Sequence, residues 1–479
     1  MAGIGIKLNK IYNKRSIFAR LYGFGYSVVV TIAPMLVVIA VLVAMQLLLG
    51  FSKLNYAVRE LFSCTVLYIF IFALLTASPF NAVISRYMSD LIYEDKYEDI
   101  KPCFYTGMLL NCIVSFIPEL IFCFHEYYVG GVNVWYVFAG FVGYMSLMFA
   151  FYIMLYLSIC KDYKKISLFY IIGMSVALLL SCGLHYFFNV RTDVAMLVSL
   201  DVGMLLIAIL EYSQFLQYFT QNSGDYAGVY RYLATYWQLI VANFMYIFGL
   251  YIHNFVFWTT DEHMIVARSF VCNQPYDMAS CLAMFTNITS SVIFLSRVEM
   301  NFHSRYKGYS EAVIGGRGQD IDKAANRMFR QIMEEVMTLV RVQFIISSVI
   351  FLVAMVILPR YGFGGETLQI YPLLAAGYFI MFTMYALIVF LYYFNDLNGA
   401  VATSLTFFIV TGVCSFIATK LPVIWYGSGL VIGAFTGFTV AYFRLRYMEK
   451  MLDVHTFCLG SILKKGHGKM PSNCVYVRK

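Results

Sequence analysis

Apolar runs of about 20 residues recur along nearly the whole chain and constrain its fold more than any other feature. Each run is long enough to cross the hydrocarbon core of a bilayer as an α-helix. Only 13% of the residues are charged, whereas a soluble domain carries about 25%. The first run is too long for the core of a signal peptide. The chain is therefore expected to be an all-α integral membrane protein with about twelve transmembrane helices. The predicted helices are 22–49, 61–84, 103–124, 134–159, 166–188, 194–212, 234–258, 276–296, 336–358, 370–394, 400–418 and 423–443.

The basic residues predict how these helices are oriented. With a cytoplasmic amino terminus, 28 of the 34 Lys and Arg residues lie in cytoplasmic segments and 6 lie in outer loops. The positive-inside rule favours this orientation. It places both ends of the chain in the cytoplasm and the protein in the cytoplasmic (inner) membrane. The net charge of +8 follows from these anchoring residues, so no nucleic-acid partner is predicted.

Two segments between or beside the helices have a different character. Residues 1–21 mix apolar and basic side chains, which is typical of an amphipathic helix on the inner leaflet; a tail with stop-transfer charges is the alternative. Residues 297–335 form the longest cytoplasmic loop, with a charged helical pattern in its second part. We expect a first six-helix bundle over 22–228, a second over 229–448, and a cytoplasmic tail over 449–479.

The two halves carry a weak internal repeat. Ser85-Arg86 follows the second helix and Ser296-Arg297 follows the eighth, 211 residues later. Because each half has an even number of helices, both halves enter the membrane in the same sense, as in transporters built from parallel repeats. Arg86 and Arg297 are candidates for gating or for docking a partner. The alternative is that both are ordinary anchors at the cytoplasmic face.

Ionisable groups deep in a membrane are costly, so each is a candidate functional residue. Asp201 lies near the centre of the sixth helix, and Glu119 follows a proline in the third. Asp277 opens the eighth helix and is either a pathway residue or a helix cap. The alternative for Glu119 is that its side chain lies close enough to the outer surface to contact water. Glu211 is expected at the cytoplasmic interface, where it needs no special role.

Enzyme classes lack their signatures in this sequence. The glycines at 315–318 follow no strand and precede no Gly-Lys-Ser/Thr, so they do not form a phosphate-binding loop. No cytoplasmic segment is long enough for a nucleotide-sugar domain, and the cysteines show no metal-ligand spacing. We predict neither catalysis nor a metal or other cofactor.

Several stretches resemble the PelG family, which exports the Pel exopolysaccharide. The most specific is the amino-terminal octamer Met1-Ala2-Gly3-Ile4-Gly5-Ile6-Lys7-Leu8. The other stretches are Tyr22-Gly23-Phe24-Gly25-Tyr26, Ser78-Pro79-Phe80, Ser85-Arg86-Tyr87-Met88-Ser89-Asp90, Arg297-Val298-Glu299-Met300-Asn301-Phe302 and Leu391-Tyr392-Tyr393-Phe394-Asn395-Asp396. Two local departures are Ala33-Pro34-Met35, where Gly-Pro-Trp is expected, and the lack of an Arg soon after Asp396.

The resemblance implies a fold and a set of partners. It implies a member of the multidrug/oligosaccharidyl-lipid/polysaccharide flippase superfamily, with two six-helix bundles. It also implies a cytosolic glycosyltransferase, small membrane partners and an N-acetylhexosamine-rich, partly cationic polymer, as in biofilm polysaccharides. Acidic pathway residues suit such a polymer by charge complementarity, or a coupling cation. Flipping of lipid-linked oligosaccharide, cation-coupled drug efflux and a non-conducting scaffold remain the alternatives.

Overall fold

A computed structural model describes residues 17–160, 162–294, 299–361 and 364–458. The first half of the chain consists of helices joined by short turns, as the apolar runs predict. These helices are α1 (Ile17–Leu48), α2 (Tyr56–Ala77), α3 (Asn81–Tyr93), α4 (Ile100–Tyr128), α5 (Val134–Ile159), α6 (Tyr163–Tyr186) and α7 (Thr192–Tyr218). The predicted inner-leaflet helix over 1–21 lies outside the described residues except for the first turn of α1.

The second half is also mainly helical, and a short helix, α8 (Tyr226–Thr235), links it to the first. Its helices are α9 (Trp237–Phe257), α10 (Gln274–Asn287), α11 (Thr289–Ile293), α12 (Glu299–Gly315), α13 (Gly318–Ile357), α14 (Gly365–Tyr393), α15 (Leu397–Ala418) and α16 (Ser428–Cys458). The all-α expectation misses one antiparallel hairpin after α9, formed by β1 (Met264–Val266) and β2 (Phe270–Cys272). Three-residue strands are too short to leave a periodic signal in the sequence.

Ten helices within the described ranges are long and apolar enough to cross a membrane. The other two predicted spans are the first and the eighth. The first is α1, whose described apolar end is Ile32–Leu48. The eighth is not continuous, because it breaks into α10 and α11.

The second helix is broken as well, so the prediction of one continuous helix over 61–84 is wrong. The break between α2 and α3 falls at Ser78-Pro79-Phe80, where proline removes a backbone donor and disfavours helix in the preceding residue. With the repeat offset of 211 residues, Ala77 at the end of α2 corresponds to Ile288, the residue between α10 and α11. The two halves therefore break corresponding helices at corresponding positions.

Helix packing confirms the internal repeat. In the first half, α1 packs on α6, α2 on α5, α4 on α5, and α7 on both α5 and α6. In the second half, α9 packs on α15, α10 on α14, α13 on α14, and α16 on both α14 and α15. These are the same pairs in helix order, so the chain forms two bundles with one internal design. The bounds 22–228 and 229–448 stay predictions.

The segment predicted as a loop over 297–335 is a helical hairpin in its described part. After α12, the 40-residue α13 runs without interruption from Gly318 into the predicted ninth span. The predicted tail likewise begins as helix, because α16 continues to Cys458. Both helices therefore extend beyond the membrane-spanning length on the predicted cytoplasmic side.

A row of glycines on α16 sets how closely that helix approaches its neighbours. Gly429, Gly433 and Gly437 are spaced four residues apart and so share one face. A Cβ at Gly433 would lie 2.8 Å from both Cα and Cβ of Thr411 on α15. Such small residues allow close helix packing where no hydrophobic effect drives helices together.

Replacing Gly433 with Ala is expected to destabilise the second bundle by about 1–3 kcal/mol, because the added methyl overlaps the backbone of α15. The measurement is the thermal unfolding temperature of the purified protein in detergent. Gly183→Ala on α6 is the matched control, since nothing lies within 4 Å of a Cβ at Gly183. The control should be neutral or stabilising by about 1 kcal/mol, from helix propensity alone. Equal unfolding temperatures for the two variants would contradict the packing argument.

Candidate transport pathway

Asp201 lies in the core of the first bundle, as its central position in the sixth helix predicts. Its side chain on α7 is 3% exposed and faces Gly143 of α5. A Cβ at Gly143 would overlap the Asp201 Oδ1 atom and lie 3.3 Å from Ile69 Cδ1 on α2. Oδ1 has no hydrogen-bond partner among the described residues. Glycine at position 143 therefore makes the room that this unpartnered carboxylate occupies.

Glu119 lines a cavity of about 150 Å³ between α2, α4 and α5. Glu126 lines the same cavity, and so does Ile69, which also borders the space around Asp201. The two glutamates are seven residues apart on α4 and so share one face. Tyr68 and Tyr144 add aromatic rings to the wall. The cavity thus combines two carboxylates with aromatic surfaces.

Sequence reasoning missed Glu126, although the seven-residue spacing from Glu119 was visible. It lies two residues before the end of α4, where a charged side chain normally reaches water. In the structure it is only 6% exposed. The reason is tertiary: the turn after α4 packs under the hairpin, and a Cβ at Gly130 would lie 2.8 Å from the Ala267 carbonyl oxygen.

Asp277 has a different environment from Asp201. Its carboxylate accepts hydrogen bonds from Asn254 Nδ2 (2.8 Å) and from Trp258 Nε1 (2.9 and 3.0 Å). It also accepts from the backbone N–H of Asn273 (3.1 Å), the residue that caps α10. These contacts have the reciprocal arrangement of a helix cap. They favour the capping interpretation over a pathway role.

The capped carboxylate belongs to a wider polar network inside the second bundle. The Asn254 Oδ1 atom accepts a hydrogen bond from the Ser280 hydroxyl (3.5 Å). The same hydroxyl oxygen lies 2.8 Å from Tyr378 Oη. Tyr378 Oη is 3.5 Å from His253 Nε2, and the other ring nitrogen of His253 is 2.9 Å from a tyrosine hydroxyl on α10. Since each of these buried polar groups has a partner, the network fixes α9, α10 and α14 relative to one another.

Glu211 does not lie at an aqueous interface as expected. Its side chain on α7 is fully buried, and neither carboxylate oxygen has a hydrogen-bond partner among the described residues. The expectation was wrong because Glu211 lies on the side of α7 that is buried within the bundle, where α7 packs on α5 and α6. The first bundle therefore holds two carboxylates without partners on one helix, Asp201 and Glu211. In the part of the chain that the structure describes, no three potential ligands converge on a metal position.

Arg86 joins the two halves on the predicted cytoplasmic side. Its Nη1 donates to Asn395 Oδ1 (2.8 Å), in the turn between α14 and α15. Its guanidinium group lies 4.2 Å from the ring centroid of Tyr236, in the turn between α8 and α9. The side chain thus connects α3 of the first half to two turns of the second. Arg297, its counterpart in the repeat, lies outside the described residues.

The opposite face is also closed by contacts between the halves. Tyr68 of α2 stacks on Trp258, with ring centroids 5.1 Å apart and an angle of 3° between the planes. Its hydroxyl donates to the Val271 carbonyl of the hairpin (2.8 Å) and accepts from the Val271 N–H (3.0 Å). The two bundles are therefore held together at both ends of the molecule.

The contacts of the two aspartates predict opposite responses to neutral replacement. Asp277→Asn replaces one of the two acceptor oxygens with an NH2 donor, so at least one of the three buried donors loses its acceptor, at a cost of about 1–3 kcal/mol. Its unfolding temperature in detergent should fall clearly below that of the wild type. Asp201→Asn breaks no hydrogen bond to protein, so its unfolding temperature should stay the same or rise. A loss of stability in Asp201→Asn but not in Asp277→Asn would reverse the assignment.

A double-mutant cycle tests the bridge made by Arg86. We expect Arg86→Gln and Asn395→Ala to lower the unfolding temperature non-additively, because one hydrogen bond is lost in either case; coupling of roughly 0.5–3 kcal/mol is typical of contacting residues. Arg231→Gln, at an exposed position on α8, is the matched control and should show no coupling to Asn395→Ala. Additive effects of Arg86→Gln and Asn395→Ala would rule out a stable bridge.

Comparison with known proteins places this geometry in context. The sequence matches the model of the PelG family, described as "Putative exopolysaccharide Exporter (EPS-E)", over residues 1–457. A comparison with curated protein sequences finds no significant match. Several solved structures share the fold.

One of these structures is an outward-facing multidrug resistance MATE family transporter of the MOP superfamily. It is 13% identical to this chain, with a TM-score of 0.59, and the match covers 89% of this chain and 96% of the transporter. A MATE transporter in complex with MaL6 has 12% identity, a TM-score of 0.58 and the same coverage. A MOP superfamily transporter from Pyrococcus furiosus has 12% identity and a TM-score of 0.57, again with 89% and 96% covered. At these identities the likeness establishes the fold: an all-helical, multi-pass membrane protein of two bundles.

Proposed function

Because the chain belongs to the PelG family of exopolysaccharide exporters, we propose that it moves a growing, N-acetylhexosamine-rich polysaccharide across the cytoplasmic membrane. The family consists of transporters, so the chain is not an enzyme, and the polymer must be made elsewhere. We propose a cytosolic glycosyltransferase as its source, with small membrane proteins completing the synthase complex.

The observation that carries this proposal is the sign of the buried charge. Among the described residues, every buried Asp, Glu, Lys or Arg side chain is a carboxylate. They are Glu60, Glu126, Asp193, Asp201, Glu211, Asp277, Glu335 and Asp396. Asp193 and Asp396 are ion-paired with Arg191 and Arg444, but the interior that the other carboxylates leave favours cationic sugars over anionic ones. It therefore suits a polymer whose amino groups are partly free.

The first bundle supplies the polar part of the proposed route. Asp201 and Glu119, with Glu126, form an acidic region around one shared apolar wall residue, Ile69. The aromatic side chains of the same cavity offer flat surfaces of the kind on which sugar rings pack. Asp277 is proposed to act indirectly, by fixing the start of α10 through its hydrogen bonds.

The contacts of Arg86 favour gating over docking. A docking residue should project into solvent, whereas Arg86 is half-buried and bound to the other half of the chain. We propose that opening of the predicted cytoplasmic face breaks its bond to Asn395. The helical hairpin of α12 and α13 is the better candidate for docking the glycosyltransferase, since it covers the longest predicted cytoplasmic loop and carries exposed charges.

A second function fits the same site. Carboxylates without protein partners are able to bind a proton or a sodium ion, and Asp201 and Glu211 are two of them. Cation-coupled drug efflux, or flipping of a lipid-linked oligosaccharide, would use them in this way. Uptake or efflux of a cationic dye by vesicles that make no polysaccharide would support this alternative.

The double variant Asp201→Asn, Glu119→Gln is expected to lower polysaccharide export on the order of tenfold, the effect of losing about 1.4 kcal/mol of favourable interaction along the route. Secreted and cell-associated polymer should be measured together, with the amount of protein in the membrane. Protein abundance should be unchanged, since neither residue has a strong hydrogen bond to lose.

Glu366→Gln provides the matched control, because Glu366 is an exposed carboxylate at the start of α14. This variant should export normally. Normal export by the double variant would exclude the acidic route, and equal loss in the control would point to a general effect of charge.

A further inference from the structure

Two cysteines from opposite halves of the chain meet on the hairpin face. Cys64 lies on α2 of the first half, and Cys272 ends β2 of the second. Their Sγ atoms are 3.2 Å apart. A disulfide has a bond of about 2.04 Å, so the sulfurs need to approach by only roughly 1.2 Å to be joined.

The surrounding contacts hold the two thiols in this position. Cys64 and Tyr68 are four residues apart and share one face of α2. Tyr68 is hydrogen-bonded to both backbone groups of Val271, the residue before Cys272. On the neighbouring strand, Met264 pairs with Cys272 and accepts a hydrogen bond from the Tyr56 hydroxyl (3.2 Å). The hairpin is therefore fixed to α2 by contacts on both strands.

Burial makes the pair sensitive to movement of the hairpin. Cys64 is 2% exposed and Cys272 is 3% exposed, within a small apolar cluster. A soluble oxidant reaches either thiol only when the hairpin separates from α2. The topology predicted from the basic residues places this face on the outer side of the membrane, where disulfides form and persist.

We propose that Cys64 and Cys272 form a reversible disulfide that ties the two bundles together on the hairpin face. The oxidant is a small-molecule or protein disulfide. The thiolate of one cysteine attacks it, forming a mixed disulfide and releasing one thiol. When the hairpin returns, the second cysteine attacks the mixed disulfide and releases the other thiol. Two protein thiols are oxidised and one external disulfide is reduced to two thiols.

The bond has a direct mechanical consequence. Opening this face requires α2 and β2 to separate, because the hydrogen bonds between Tyr68 and Val271 help to hold it closed. A covalent bond between the two elements prevents that separation. Oxidation therefore holds the transporter closed on the hairpin face, and reduction releases it.

The cross-link is tested with the full-length protein in membrane vesicles. A protease site is inserted between Asn222 and Gly224, in the exposed link between α7 and α8. Vesicles are treated with oxidised glutathione, alkylated, cleaved and run on a denaturing gel without reductant. The two fragments should migrate at the mass of the uncut chain and separate when reductant is added.

Single substitutions identify the bond. Cys64→Ser and Cys272→Ser should each abolish the linked band. The double variant Cys112→Ser, Cys281→Ser is the matched control, because it removes one half-buried cysteine from each half and should leave the band intact. Separate fragments from the oxidised wild type, or a linked band in either single variant, would overturn the proposal.

A second measurement tests the closed state and rests on the proposed function. Oxidised wild-type cells should lose most of their polysaccharide export and regain it on reduction, whereas Cys272→Ser should export equally under both conditions. Cross-linked protein that exports polysaccharide as fast as the protein with free thiols would overturn the proposed closure. Absence of export in every sample, with the cross-link present, would instead count against the exporter proposal alone.

Discussion

Backbone groups inside a bilayer have no water to bind, so any interruption of a spanning helix must find its hydrogen bonds within the protein. This constraint shapes both broken helices. At the first break, the Asn243 side chain of the other half donates to the Ser78 carbonyl. At the second, Asn287 donates to the Ala375 carbonyl (2.9 Å) of α14. The first amide satisfies a carbonyl group of the break itself, whereas the second, next to its break, joins α10 to α14.

The buried carboxylates fall into two groups that differ in their partners. Asp396 caps α15 and forms a two-pronged ion pair with Arg444 of α16 (2.6 and 2.9 Å), and Asp277 accepts a hydrogen bond from the backbone N–H of the residue that caps α10. Removing such a carboxylate leaves buried donors unpaired, so these residues are structural. Asp201 and Glu211 have no partner among the described residues, and desolvation of a carboxylate is costly. A buried carboxylate whose desolvation is offset by no stabilising contact is typical of a functional group within a membrane.

The contacts between the bundles differ at the two ends. The predicted cytoplasmic end is joined by individually modest contacts: those of Arg86 with Asn395 and Tyr236, and the hydrogen bond that the Tyr232 hydroxyl donates to Asp90. The hairpin end combines aromatic stacking, two backbone hydrogen bonds and a pair of thiols. Modest contacts allow frequent opening, whereas the hairpin end has a contact that covalent chemistry is able to strengthen. The two ends are therefore suited to different kinds of control.

The sequence by itself determined most of the membrane spans, the duplicated plan and the deep position of Asp201, because hydropathy, charge and repeat spacing are properties of consecutive residues. Glu126 escaped notice, since its burial depends on the turn beneath the hairpin. The partners of Asp277 and Arg86, and the meeting of Cys64 with Cys272 across 208 residues of chain, were decided only by the tertiary structure. Packing between helices distant in sequence sets which groups touch, and local patterns carry no information about those distances.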